Sequence, residues 1–215
     1  MKGTRAKKLY KTADGTIVPG VTTVLNVLAK PALIHWAWNL GMQGVDYRKF
    51  RDKAANIGTL AHYMVECDLA GKEPDLSLYS KDDIDLAENC LISYYEWRKG
   101  KTVKPIHTEM PLVSERWKYG GTIDFYGEID GVITLLDLKT GKAIYDEHTI
   151  QLAAYVHLLK EHDYPVQKIR VLRIGRDEAE GFEERVKTIK QLKPYWEAFR
   201  HALGIYNAQK KIKAS

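Results

Sequence analysis

Cysteine is scarce in this chain of 215 residues. The two cysteines, Cys67 and Cys90, are not arranged as a CxxC pair. Disulfide frameworks, zinc knuckles and iron–sulfur clusters all need several cysteines at characteristic spacings. The sequence therefore argues against each of these, and we expect no iron–sulfur cluster.

Long hydrophobic runs are also missing. No apolar stretch approaches the roughly 20 residues that a membrane-spanning helix needs. The basic start "MKGTRAKK" is not followed by the apolar segment of a signal peptide. We therefore expect a soluble, cytoplasmic protein with no membrane partner.

Several common catalytic motifs are absent as well. The segment "LLDLKTGKA" ends in Gly-Lys, but a P-loop requires glycine where Leu136 stands and serine or threonine where Ala143 stands. Neither GxSxG nor GxGxxG occurs. The sequence thus gives no sign of a nucleoside-triphosphate site, a serine-hydrolase elbow or a dinucleotide site.

The charge balance is mildly basic, with a formal net charge of +5 and a pI of about 9.0. Lysines are concentrated at the two ends of the chain. Such a distribution is typical of proteins that bind polyanions, but solvated basic tails that aid solubility explain it equally well. Charge alone therefore does not assign a partner.

The order of predicted elements indicates a single α/β domain. A hairpin turns at Asp14-Gly15, and a helix follows that Pro31 stops. Further helices are predicted from about Asp46 to Ala70 and between Ser80 and Gly100, and then a three-strand meander, a helix, two short strands and a last helix. We expect a helical N-terminal part at about 20–100, a sheet with its helix at about 103–190, and a C-terminal helix at about 190–210.

Two acidic residues stand out within the predicted meander. The Asp130-Gly131 pair is a strong signal for a two-residue hairpin loop, and with that loop Asp124 faces Asp137 across the strands. Two such charges about 5 Å apart repel by roughly 3 kcal/mol at an effective dielectric of 20, so a positive group should lie between them. A divalent cation would be such a group. The alternative is a structural salt-bridge cluster with Lys139, which lies on the same strand face as Asp137.

Two flanking helices add polar candidates. On the first, Gly58, His62 and Glu66 recur every four residues beside an apolar stripe. On the second, "QLAAY" places Gln151 and Tyr155 on one face of a nearly all-apolar segment. A packed histidine and a core tyrosine are the simpler explanations, but a buried Gln151 needs a polar partner, and a nucleic-acid phosphate or base would be one.

These segments together resemble the PD-(D/E)XK nuclease superfamily, specifically its RecB-like exonuclease branch. The resemblance lies in "GTLAHYMVE", "GTIDF", "LLDLKTGK" and "QLAAY", in that order, and covers about residues 17–160. The stretch "VPGVTTVLNVLAKPALIHWAW" is similar to the N-terminal segment of phage exonucleases and of the mitochondrial genome maintenance exonuclease. The implied fold is α/β, with a restriction-endonuclease-like core in which helices flank a central mixed sheet, preceded by a helical N-terminal half.

The resemblance implies roles for particular residues. Asp124 and Asp137 would bind the metal, with the Leu138 carbonyl and His62 as further ligands. Lys139 would position and activate the attacking water, so that Asp124, Asp137 and Lys139 form the catalytic set.

Substrate contacts are implied as well. Gln151 and Tyr155 would touch the nucleic acid, and Glu66, on the stripe with His62, is an additional site candidate. Aromatic residues of the helical half could stack on a single-stranded end, although packing in the core explains them more simply; these are Trp36, Trp38, Tyr63, Tyr94 and Tyr95.

The function expected on this basis is that of a DNA exonuclease of recombination or repair. One or two Mg²⁺ or Mn²⁺ ions would activate water for phosphodiester hydrolysis. The DNA would have a free end, which could be single-stranded. Two alternatives stay open: a structure-specific endonuclease of the same fold, and a non-catalytic nucleic-acid-binding module.

Overall fold

A computed structural model describes residues 9–177 and 179–214 of the chain, so the basic segment "MKGTRAKK" lies outside the described residues. Within the described ranges, six α-helices and seven strands follow one another. The helices are α1 (Val21–Leu25), α2 (Pro31–Met42), α3 (Tyr47–Leu69), α4 (Lys81–Arg98), α5 (Asp146–Glu161) and α6 (Lys193–Ala214). The strands are β1 (Tyr10–Lys11), β2 (Ile17–Val18), β3 (Val103–Ser114), β4 (Tyr119–Ile129), β5 (Val132–Lys139), β6 (Lys168–Ile174) and β7 (Phe182–Thr188).

The central sheet contains five strands in the order β3-β4-β5-β6-β7. Strands β5 and β6 are parallel and are connected through α5, whereas the other neighbours are antiparallel. One core packs α1, α5 and α6 against the sheet, and a second core packs α3 and α4 against it. The structure is therefore the predicted mixed sheet flanked by helices, preceded by a helical N-terminal half.

The caps of α3 and α4 agree with the sequence. The Asp46 side chain accepts a hydrogen bond from the Arg48 amide at the start of α3, and Ser80 accepts one from the Asp83 amide at the start of α4. After α4, Gly100 adopts a φ of +73°, a conformation that suits glycine at a helix end. Both helices lie where the sequence predicts them.

The prediction for Pro31 is wrong. Helix α1 already ends at Leu25, and Pro31 begins α2 instead of stopping the preceding helix. The first position of a helix needs no amide hydrogen and favours the fixed φ of proline. The hairpin at Asp14-Gly15, in contrast, is confirmed by the antiparallel pairing of β1 with β2.

The C-terminal helix starts slightly later than predicted. A 3₁₀ turn covers Ile189–Leu192, and α6 extends from Lys193 to Ala214. None of the helices within the described ranges combines the length and apolar character that crossing a membrane requires.

Candidate active site

The register of β4 and β5 is the one that the Asp130-Gly131 loop predicts. Phe125 pairs with Leu136, and the ladder continues to the loop, where both loop residues have positive φ. Carried one residue further, the same register places Asp124 opposite Asp137. The Asp124 carboxylate also accepts a hydrogen bond of 3.0 Å from the Leu138 amide, which fixes it against β5.

Asp137 is buried, with only 2% of its side chain exposed. Lys139 forms an ion pair with one of its carboxylate oxygens, and Gln151 donates a 3.2 Å hydrogen bond to the other. Burial raises the pKa of Asp137 to about 6, the neighbouring Lys139 lowers it in part, and Asp124 raises it further. Lys139 and Gln151 therefore hold the Asp137 carboxylate in place, although burial makes its ionised form less stable than it is in water.

Gln151 and Tyr155 support Asp137 from α5. The Gln151 amide also donates to the Tyr155 hydroxyl at 3.0 Å, and both side chains are buried. The partner that a buried Gln151 requires thus lies within the protein. A Cβ added to Gly121 would lie 2.3 Å from a carbon of the Tyr155 ring, so glycine at this position lets β4 approach the ring.

Helix α3 brings His62 to the same end of the sheet. His62 Nδ1 lies 3.5 Å from an Asp124 carboxylate oxygen. One turn earlier, Gly58 passes so close to Thr140, the residue after Lys139, that a Cβ would lie 2.7 Å from the threonine hydroxyl. The missing side chain of Gly58 allows α3 to cross the end of β5 with His62 directed at Asp124.

Glu109 joins this cluster and was missed by the sequence analysis. Possible ligand atoms of His62, Glu109 and Asp124 all lie within 4.8 Å of one another, a spacing that one metal ion could bridge. The pairs Thr108–Phe125 and Met110–Ile123 place Glu109 opposite Asp124. An imidazole with two carboxylates offers nitrogen and oxygen ligands of the kind that divalent ions bind.

The backbone of Glu109 is unusual for a strand residue. Its φ is +50°, in the left-handed region that non-glycine residues rarely occupy. The sequence offered one signal, an acid in the strand "HTEMPLVS", but the loop between β3 and β4 is longer than two residues and does not set the register. The sequence alone therefore did not predict that Glu109 lies opposite Asp124.

The grouping differs in one respect from the ligand set implied by the resemblance. The structure groups His62 and Asp124 with Glu109, whereas Asp137 contacts Lys139 and Gln151. Glu66 is partly buried one turn beyond His62, outside this group of three. A role for Asp137 or for the Leu138 carbonyl as a metal ligand stays a prediction.

Charged side chains surround the N-terminus of α5 beside this cluster. Lys30 forms a 2.8 Å ion pair with Glu147, and Arg185 pairs with Asp146. Burial lowers the pKa of His148 to about 4, aided by Lys139, Arg185 and Lys30, so His148 is neutral near pH 7.

A known protein family matches most of the chain. The family model of the PD-(D/E)XK nuclease superfamily matches residues 51–209. No curated protein sequence matches the chain.

Several solved structures of low sequence identity are similar to part of this chain. A protein from Eubacterium rectale assigned as an exonuclease is 11% identical to this chain, with a TM-score of 0.46. The match covers 71% of this chain and 65% of the length of that protein. A phage-related exonuclease from Haemophilus somnus is 14% identical, with a TM-score of 0.39 over 73% of this chain and 83% of the other. An alkaline exonuclease from Laribacter hongkongensis is 13% identical, with a TM-score of 0.34 over 72% of this chain and 84% of the other. On the family match, which covers well over half of the sequence, the chain belongs to the PD-(D/E)XK nuclease superfamily.

Proposed function

We propose that the chain is a divalent-metal-dependent deoxyribonuclease that acts as an exonuclease, as in the RecB-like branch. The observation that carries the proposal is the convergence of His62, Glu109 and Asp124 within 4.8 Å of one another, beside the Asp137–Lys139 ion pair. Nucleases of this superfamily use divalent metal ions. A cluster of this composition, in a chain of this superfamily, supports hydrolysis of a phosphodiester.

The residues present fit a metal ion by their chemistry. Carboxylate oxygens suit Mg²⁺ and Mn²⁺, and a neutral imidazole adds a nitrogen ligand. Asp137, with its pKa raised to about 6 by burial, is ionised at neutral pH only at a cost in free energy, which a nearby cation offsets. When bound, one or two such ions would lower the pKa of a water and neutralise charge on the scissile phosphate.

The side chains of the protein would divide the remaining work. Lys139 is held by Asp137 at the end of β5, where its ammonium can orient a water, and its neutral amine, after losing a proton to solvent, could accept the proton of that water. Gln151 and Tyr155 keep the Asp137 carboxylate from turning, through the hydrogen bonds that link the three. Direct contact of Gln151 or Tyr155 with DNA remains a prediction, and it would require these buried side chains to become more exposed.

The decisive experiment compares end-labelled linear DNA with closed circular DNA. Each substrate is incubated with Mg²⁺, with Mn²⁺ and with EDTA, using wild type, Asp124→Asn and, as a matched change of charge on the exposed side of α4, Asp85→Asn. Degradation of linear DNA alone, dependent on metal and lost only in Asp124→Asn, is the expected result. Nicking of the circle would favour the endonuclease, and metal-independent binding without cleavage would favour the binding module.

A further inference from the structure

Helix α2 and the first part of α3 form an arm, residues 31–56, that contributes nothing to either core. None of the described side chains of α2 is buried, and in α3 the first buried residue is Ile57. The two helices touch through Trp36 and Phe50, whose rings meet edge to face at 5.9 Å. The arm therefore stands out from the body of the protein.

An apolar stripe runs along the outward side of α2. Ile34, Trp38 and Met42 recur every four residues and are 72%, 62% and 70% exposed. Trp36, which packs on Phe50, lies on a different side of the helix from Trp38. A contiguous exposed apolar surface of this kind is typical of a binding site.

A basic face runs along α3. Arg48, Arg51, Ala55, Gly58 and His62 are separated by three or four residues and so share one side of the helix. At 1.5 Å per residue, Arg51 lies about 16 Å and Arg48 about 21 Å along the helix from His62. Both arginines are exposed, and the two residues that lie between them and His62 on this face, Ala55 and Gly58, are small. The basic face thus leads directly to the candidate active site.

Both ends of the arm lie beside that site. At the first end, Lys30 pairs with Glu147 at the N-terminus of α5. At the second end, Gly58 packs against Thr140, which follows Lys139. A ligand that lies on the arm is therefore already close to the carboxylate cluster.

We propose that the arm binds single-stranded nucleic acid and delivers it to the site, an inference that rests on the proposed nuclease function. The phosphates contact the basic face of α3, and an unstacked base stacks on the exposed ring of Trp38. A single strand fits better than a duplex, because bases must be unstacked to use an aromatic side chain. The charge of the arm also suits a polyanion, because the arm contains four basic residues and two acidic ones. The acidic residues are Asp46, which caps α3, and Asp52, which pairs with Arg51.

The test measures binding without cleavage. Fluorescein-labelled dT20 and a 20-base-pair duplex are titrated in Ca²⁺ at several salt concentrations with wild type, Arg48→Ala/Arg51→Ala and Trp38→Ala. Loss of two phosphate contacts should lower the salt slope for dT20 by about 1.4. Loss of one base stack should weaken dT20 binding by about 5- to 160-fold. Duplex binding should change much less.

Matched controls remove similar side chains elsewhere. Lys210→Ala/Lys211→Ala takes two positive charges from exposed positions of α6, and Leu78→Ala removes an apolar side chain that is 78% exposed. Both controls should bind dT20 like wild type. Thermal melts of every variant should match wild type, because the altered side chains are exposed.

Three results would overturn the inference: unchanged dT20 binding in the arm variants, equal losses for dT20 and duplex, or conversion of a wild-type dimer to monomers with dT20 binding intact. The last would make the arm an interface between copies of this chain. The binding assay is independent of catalysis. If wild type fails to cleave DNA but the arm variants lose dT20, the nuclease proposal fails, and binding of single strands by the arm stands without delivery to a catalytic site.

Discussion

Replacing Asp137 with asparagine should stabilise the metal-free protein. Burial raises the pKa of Asp137 from 3.8 to about 6, so ionising this group in the folded state at pH 8 costs about 3 kcal/mol, at 1.36 kcal/mol for each pKa unit. Asparagine has nearly the same shape, does not ionise, and can still accept the hydrogen bond from Gln151. The gain for Asp137→Asn at pH 8 should therefore approach 3 kcal/mol.

The gain should depend on pH in a defined direction. Because the pKa of Asp137 is higher in the folded state, its contribution to stability is fully present below pH 3.8 and is lost as the pH rises through about 6. At pH 4.5 the loss amounts to about 1 kcal/mol, so the advantage of the variant should grow by about 2 kcal/mol between pH 4.5 and pH 8.

Urea unfolding of wild type and variant in EDTA at the two pH values measures this difference. Asp85→Asn, which removes an exposed carboxylate from α4, serves as the control and should show no growth of the difference with pH. If Asp137→Asn is destabilising at pH 8, or its advantage is the same at both pH values, then Asp137 is not held in a costly ionised state and the reasoning is refuted.

Three further predictions concern the surroundings of Asp137. Gly121→Ala should destabilise the protein by about 1–3 kcal/mol, because the new Cβ would lie 2.3 Å from the buried Tyr155 ring; an unchanged urea midpoint would contradict the close approach. Glu109→Gln should require at least about tenfold more Mg²⁺ to produce the wild-type thermal shift, whereas Glu66→Gln should leave the titration unchanged; equal effects would remove Glu109 from the ligand set. Lys139→Ala should slow single-turnover cleavage by about 10²–10⁴-fold with little loss of DNA affinity; preserved turnover with weaker binding would show that Lys139 only contacts phosphate.

The parts of the site that local signals encode could be predicted from the sequence. Asp130-Gly131 defines a two-residue loop, and such a loop sets the register of the strands it joins, so the alignment of Asp124 with Asp137 followed from residue numbers alone. Asp46 and Ser80 marked the helix starts because their side chains satisfy amides that have no partner within the helix.

The parts that depend on distant packing could not be predicted. Glu109 lies opposite Asp124 only because of the β3–β4 register, which includes an irregularity between Pro105 and His107 and is not set by a tight turn. The glycine at position 121 is explained only by the Tyr155 ring on α5, about thirty positions later in the sequence. No local pattern records a contact between elements so far apart in the chain.

The arrangement of acids across the sheet supports our proposal of a cation over a salt-bridge cluster. In the combined registers, Glu109, Asp124 and Asp137 fall in one row across three adjacent strands. Like charges on directly opposed strand positions destabilise a sheet. Lys139 pairs with Asp137, and His62 lies 3.5 Å from Asp124. A cation at the row would offset this repulsion and so should bind the folded state preferentially, which at one hundred times its dissociation constant stabilises the protein by about 2.7 kcal/mol. Adding metal should therefore stabilise the wild-type protein. Neutralising one acid of the row should reduce this stabilisation by metal and make the metal-free protein more stable.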